Sequence, residues 1–201
     1  MNEPCPSATA WRVALRRAAH QLLDAPLIFA DPLALRMVGA EGAVIPEPGA
    51  GWLDQSPLAR VLRGSLAARS RFAEDSLAQA RSRGVHQYVI LGAGLDTFAY
   101  RALTPEADLR VFEVDRPAIQ DWKRRRLTEI GLEIPAGLCF APVDFEQQAL
   151  ADGLARAGFD ASAPAFFSWL GVSMYLSRPA IETTLALVAD LPEQSGIVFD
   201  Y

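Results

Sequence analysis

The stretch Tyr88-Val-Ile-Leu-Gly-Ala-Gly-Leu-Asp96 decides the fold, because a short apolar run passes directly into a glycine-rich turn. An apolar run of this length bounded by glycine is typical of a buried strand. Glycine is needed where a strand turns sharply into a helix and the backbone closely approaches a ligand. The stretch therefore predicts a strand over 88–91, followed by either a binding turn or a purely structural one.

Downstream of this turn, apolar strands alternate with helical segments. Four more strands are predicted at 110–115, 138–143, 165–170 and 196–199, with helices at about 96–103, 117–130, 146–157 and 178–189. Strands that are separated by helices pair in parallel and are covered on both faces. The predicted fold for residues 85–201 is thus a Rossmann-like, doubly wound α/β sheet of five strands.

Residues 1–84 predict a helical N-terminal extension that forms one compact unit with the sheet. Helices are expected over 11–23, ended by Pro26, and over 57–83, ended by Gly84. Asp31 is expected to cap a further helix that begins at Pro32. The Gly- and Pro-rich stretch 39–51 predicts a mobile loop.

Composition narrows the function classes. Hydrophobic residues make up 51% of the 201-residue chain, enough for a core, and the net charge of −5 argues against a nucleic-acid partner. The chain shows neither a signal peptide nor an apolar run of about 20 residues, so a cytoplasmic protein without a membrane partner is expected. Cys5 and Cys139 match no metal spacing.

Several charged or titratable residues outside the glycine turn and the strand ends match no binding or catalytic pattern. The basic run 123–126 predicts a solvated helix face. His20 and His86 are expected at the surface or as caps. For Arg17, a solvated helix face and a role in closing a binding site stay open.

Acidic residues lie at the ends of the second and third strands. Asp115 follows the glycines by roughly the 20 residues expected of a ribose-binding carboxylate, and Glu113 on the same face is the alternative. Asp144 could accept from an adenine amino group while Phe145 covers the ring, although helix N-capping explains this pair about equally well. Thr97 stands where a dinucleotide fingerprint would have its third glycine, which argues against an NAD site.

Several segments together resemble the leucine carboxyl methyltransferase-like family of class I S-adenosylmethionine-dependent O-methyltransferases. These segments are 91–101, 111–117, 143–144 and 171–176, together with Asp31-Pro32 and the 68–71 segment. The resemblance implies S-adenosylmethionine as cofactor and O-methylation of a carboxylate or hydroxyl of a small molecule or peptide.

The resemblance also implies roles for individual residues. Arg69, with Arg71 as an alternative, would pair with the methionine carboxylate of the cofactor. Gly92, in one turn with Gly94, would pass close to the cofactor. Asp115 would hold the ribose, and Asp144 with Phe145 the adenine. No catalytic base is assigned; Tyr175 lies near the expected methyl-transfer site, where shaping the pocket and acting as a base are both open.

Two departures from the family pattern qualify this prediction. Leu170 stands where many members have glutamate. The family's sheet also continues beyond a fifth strand, whereas this sequence stops at Tyr201, and a bare edge strand would favour a homodimer. A catalytically inactive or truncated cofactor-binding protein is therefore the main alternative, ahead of an NAD-dependent oxidoreductase and a pure interaction domain.

Overall fold

The computed structural model describes residues 5–39, 55–104 and 108–201, and its centre is a five-stranded sheet. The strands are β1 (Gln87–Leu91), β2 (Arg110–Asp115), β3 (Leu138–Pro142), β4 (Ala165–Trp169) and β5 (Gly196–Phe199). They run in the order β3-β2-β1-β4-β5, and every neighbouring pair is parallel. The predicted fold class is confirmed.

Seven α-helices are found in the described residues. They are α1 (Ala8–Leu23), α2 (Ala34–Met37), α3 (Pro57–Arg81), α4 (Phe98–Ala102), α5 (Pro117–Glu129), α6 (Leu150–Arg156) and α7 (Arg178–Ala189). A 3₁₀ turn at Ser173–Tyr175 follows β4.

Apolar side chains cover both faces of the sheet. On one face, Tyr88, Ile90 and Val111 pack with residues of α3 and α4. On the other, Val89 and Phe112 pack with residues of α6 and α7. A third cluster joins α1 and α2 to α5. This packing fixes α1 and α3 beside the carboxyl ends of the strands.

The N-terminal helices differ in detail from the expectation. Asp31 does not begin a helix: its carboxylate accepts from the Leu33 backbone N–H, and α2 starts only at Ala34. Leu22, in the last turn of α1, is 54% exposed. Most of the predicted loop at 39–51 lies outside the described residues, and the division at residue 84 stays a prediction. None of the described helices is long and apolar enough to cross a membrane.

Three charged or titratable side chains for which a surface position was predicted or left open are buried. His20 is 1% exposed, and its Nδ1 lies 2.9 Å from Asp24 Oδ2. Lys123 is also 1% exposed because its Nζ pairs with Glu113 Oε2 at 2.6 Å. Arg17 is buried as well. The solvated-face interpretations of Lys123 and Arg17 were wrong because burial of a charge is tolerated when a partner of opposite charge is in contact.

Candidate functional site

The carboxyl ends of β1 to β4 open onto one cavity of about 600 Å³. Parallel strands bring their carboxyl ends to the same edge of a sheet, where open α/β folds bind ligands. All six residues predicted as cofactor-binding line this cavity: Arg69, Gly92, Gly94, Asp115, Asp144 and Phe145. The structure thus brings together residues that lie between positions 69 and 145 of the sequence.

The glycine turn owes its residue types to local packing. Gly92 has φ +68° and Gly94 has φ +48°, a region that side chains rarely adopt. A Cβ on Gly92 would lie 2.3 Å from Val172 Cγ2, and one on Gly94 would lie 3.2 Å from the Ala10 Cβ. The backbone conformation and close packing of the turn therefore require glycine whether or not a ligand binds. The turn also forms part of the cavity wall.

Asp115 is the best-placed acceptor in the cavity. Its Oδ2 accepts from the Gly94 N–H at 2.7 Å and its Oδ1 from the Arg116 N–H at 2.8 Å. A carboxylate has about four acceptor positions, so each oxygen retains capacity for a ligand hydroxyl. Burial raises the pKa of Asp115, opposed by these two backbone hydrogen bonds.

Glu113, the alternative to Asp115, does not line the cavity. It is fully buried and paired with Lys123. Burial raises the pKa of Glu113 to about 7, although Lys123 opposes this shift. Alternation along β2 puts Glu113 on the same face as Asp115, but Glu113 lies under α5 rather than in the cavity.

Asp144 and Phe145 follow β3 and are both half-buried. The Asp144 carboxylate accepts from the Glu146 N–H at 3.1 Å and from Gln147 Nε2 at 3.2 Å. The N-capping alternative was wrong, because α6 begins only at Leu150. Asp144 instead stabilises a turn and faces the cavity.

Arg69, rather than Arg71, belongs to the cavity. Arg69 Nη1 lies 2.6 Å from Asp200 Oδ2, and its side chain is 22% exposed. Arg71 is exposed, pairs with Asp75 on the same helix, and does not line this cavity. Neighbouring helical residues differ by about 100° around the axis, so two residues separate the arginines by roughly 200°.

A charged wall closes the cavity on the side of α1 and α3, and of its residues only Arg17 was considered for such a role from the sequence. It consists of Arg17, Glu74 and Asp96. Arg17 contacts Asp96 at 3.0 Å and Asp31 at 2.8 Å. Partners 14 and 79 residues away leave no local signal in the sequence.

The two carboxylates of this wall titrate in opposite directions. Burial raises the pKa of Glu74, although its ion pair with Arg101 opposes the shift. For Asp96, burial is outweighed by Arg17 and other cations, so its pKa is lowered. Glu74 is consequently the stronger proton acceptor of the two.

The floor of the cavity is formed by β1 and β4. Tyr88 Oη donates to Ser168 Oγ at 2.8 Å, and burial raises the pKa of Tyr88, so the phenol stays protonated. Leu170 and Val172 add apolar surface. Tyr175 also lines the cavity but is 65% exposed.

Comparison with known proteins decides the family. A family model described as leucine carboxyl methyltransferase matches residues 10–189. The chain belongs to this family. The expectations of a methyltransferase family and of S-adenosylmethionine as its cofactor are therefore confirmed.

Relatives in two bacteria are similar to this chain over most of its length. YktD of Bacillus subtilis is 35% identical over 97% of this chain and 70% of its own length. Rv3787c of Mycobacterium tuberculosis is 36% identical over 90% of this chain and 59% of its own length. Both are named "putative S-adenosyl-L-methionine-dependent methyltransferase". The chain spans about six to seven tenths of the length of these relatives.

A solved structure of the S-adenosylmethionine-dependent methyltransferase SibL in its apo form also matches this chain. The match covers 67% of this chain and 36% of that one, with 22% identity and a TM-score of 0.38. A likeness of this size supports no conclusion about function.

Proposed function

We propose that this chain forms the S-adenosylmethionine site of a methyltransferase that acts on a carboxylate or hydroxyl oxygen of a small molecule or peptide. One observation carries the proposal. Arg69, Asp115 and Asp144, which come from three separate elements, line a single cavity at the carboxyl edge of the sheet. Their charges and spacing suit the polar groups of this cofactor.

The ribose and adenine ends would be held by acids. Asp115 has spare acceptor capacity on both oxygens, which suits two neighbouring ribose hydroxyls. Asp144 can accept from an adenine amino group, and the Phe145 ring beside it offers an apolar face. Because Asp144 also accepts from Gln147, part of its carboxylate remains committed to its own turn.

The methionine end would be held by Arg69. A guanidinium has five N–H donors, and the ion pair with Asp200 uses one of them. The remaining donors suit a carboxylate. The cavity volume of about 600 Å³ also falls within the range of ligand pockets, about 300–1,000 Å³.

When bound, S-adenosylmethionine supplies a methyl group that its positive sulfonium already activates for displacement. The chain then has to align the acceptor oxygen with this group and exclude water. The start of α1 contributes Ser7 and Ala10 to the cavity wall, and α3 contributes Ala73. These helices would shield the methionine end of the cofactor from bulk solvent.

The identity of the acceptor determines whether a base is needed. A carboxylate is ionised at neutral pH and attacks without one. A hydroxyl has to lose its proton, and Glu74, which lines the cavity and pairs with Arg101 through both oxygens, is the carboxylate to test as its acceptor. The description of the family, leucine carboxyl methyltransferase, supports the carboxylate as the first acceptor to test.

Two measurements test the proposal. Calorimetric titration should show one equivalent of S-adenosylmethionine bound and no binding of NAD. Incubation with methyl-labelled cofactor and sets of carboxylic acids, alcohols, phenols and amines should then label an oxygen. Label released by mild alkali identifies a methyl ester, whereas alkali-stable label identifies an ether where mass spectrometry places the methyl group on oxygen. Transfer to nitrogen or carbon acceptors alone would contradict the assignment.

A further inference from the structure

Asp200, directly after β5, holds the guanidinium of Arg69 at the cavity wall. Its Oδ2 lies 2.6 Å from Arg69 Nη1. Within the part of the chain that the structure describes, this is the one hydrogen-bonded ion pair that Arg69 makes. Arg69 lines the cavity, whereas Asp200 does not. Asp200 therefore contacts the arginine from behind the ligand space.

The position of Asp200 is fixed from several sides. Its second carboxylate oxygen accepts from the Gly171 N–H at 2.5 Å. Its backbone carbonyl accepts from Ser173 Oγ at 2.5 Å, and its N–H donates to the Trp169 carbonyl at 3.4 Å. Both carboxylate oxygens and both backbone groups of Asp200 are thus engaged.

Gly171 completes the arrangement by leaving room for the guanidinium. A Cβ at this position would lie 2.8 Å from Arg69 Nη2 and 2.9 Å from Nη1. Gly171 also has φ +70°, which disfavours any side chain there. The guanidinium consequently lies against bare backbone on one side and Asp200 on another, with its remaining donors left for the cavity.

We infer that Asp200 is a positioning residue that pre-orients Arg69 for the carboxylate of the cofactor's methionine part. The inference rests on the proposed function, since it assumes that S-adenosylmethionine occupies the cavity. An unanchored arginine side chain has to lose rotamer freedom when it binds, and an anchored one has already lost it. Asp200 should therefore strengthen binding of the carboxylate without touching the ligand.

A pair of ligands separates this role from general damage to the site. 5′-Methylthioadenosine shares the adenosine part of S-adenosylmethionine but carries no carboxylate. We expect Asp200→Asn, which keeps the size of the side chain but removes its charge, to weaken S-adenosylmethionine binding by about tenfold, the range of one charge-assisted hydrogen bond. Its affinity for 5′-methylthioadenosine should stay within twofold of wild type.

Two further variants complete the experiment. In the Arg69→Ala background, adding Asp200→Asn should cause no further loss, because the positioned group is then absent. Asp75→Asn is the matched control, since it breaks an Arg–Asp pair on the same helix away from the cavity. It should leave both affinities unchanged.

The outcomes are distinguishable. If wild type binds neither ligand, the proposed function fails. If wild type binds both and Asp200→Asn shifts both equally, or leaves both unchanged, the positioning role is wrong. Tighter binding of S-adenosylmethionine to Asp200→Asn would also overturn it, because Asp200 would then compete with the ligand carboxylate for Arg69.

Discussion

Gly92→Ala offers the most direct test of the geometry at the glycine turn. The new Cβ would lie 2.3 Å from Val172 Cγ2, about 1.2 Å closer than the shortest favourable carbon–carbon contact of about 3.5 Å. Val172 cannot swing away easily, because a β-branched side chain has few χ1 choices. The two sides of the turn would therefore have to move apart.

The expected loss of stability has two parts. A side chain in the left-handed region costs about 1–2 kcal/mol, and overpacking costs about 1–3 kcal/mol. We therefore expect Gly92→Ala to lower the free energy of unfolding by about 3 kcal/mol. Gly131→Ala is the control: its φ is +63°, but its Cβ would meet nothing within 4 Å. It should lose only about 1 kcal/mol.

Urea unfolding of five proteins measures both parts. These are wild type, the two glycine variants, Val172→Ala and the double variant Gly92→Ala/Val172→Ala, in which both Cγ atoms of Val172 are removed. The double variant should be more stable than the sum of its single changes by at least about 1 kcal/mol. If Gly92→Ala costs no more than Gly131→Ala, the steric reasoning is refuted.

Two ion pairs give further predictions. Asp24→Asn removes the half-buried carboxylate that pairs with Arg63 and should lower stability by about 2 kcal/mol at neutral pH. Hydrogen bonds from Arg63 lower the pKa of Asp24 to about 2. The contribution of Asp24 to stability is therefore present above pH 3.8 and is lost as the pH falls toward 2. Urea unfolding should show the difference in stability between wild type and Asp24→Asn narrowing over that interval. Lys123→Met should lower stability by about 3–5 kcal/mol. The loss should be larger at pH 8 than at pH 6, because without Lys123 the pKa of the buried Glu113 rises further, and an acid with a raised folded-state pKa destabilises the fold as the pH rises. Adding Glu113→Leu should restore most of that loss; no recovery would contradict the pairing.

The sheet was predictable because each strand is a buried apolar run between polar or glycine-rich segments. The bounds of β2 and β5 agree with the sequence-based ones, and those of the other strands differ by one residue or less at either end. Since the strands are parallel, their ends had to meet at one edge. That requirement alone placed Asp115 and Asp144 near the same space.

What could not be predicted depends on contacts between distant segments. Arg69 and Arg71 lie on one helix, and only the packing of α3 against the sheet decides which of them faces the cavity. Lys123 was expected in solvent and the role of Arg17 stayed open, because the partners of both residues are set by tertiary structure. No local pattern in the sequence pointed to Asp200, because its inferred positioning role depends on contact with Arg69, 131 residues earlier.

The central claim is that Asp115 anchors an adenosine-containing ligand at this sheet edge, and calorimetric titration of Asp115→Asn tests it most directly. An amide can accept at only one atom, so the variant should lose at least about tenfold in affinity for both S-adenosylmethionine and 5′-methylthioadenosine. Asp108→Asn, at the opposite end of β2 and exposed, is the matched control and should bind both ligands like wild type. Wild-type affinity for both ligands in a folded Asp115→Asn variant would contradict the claim.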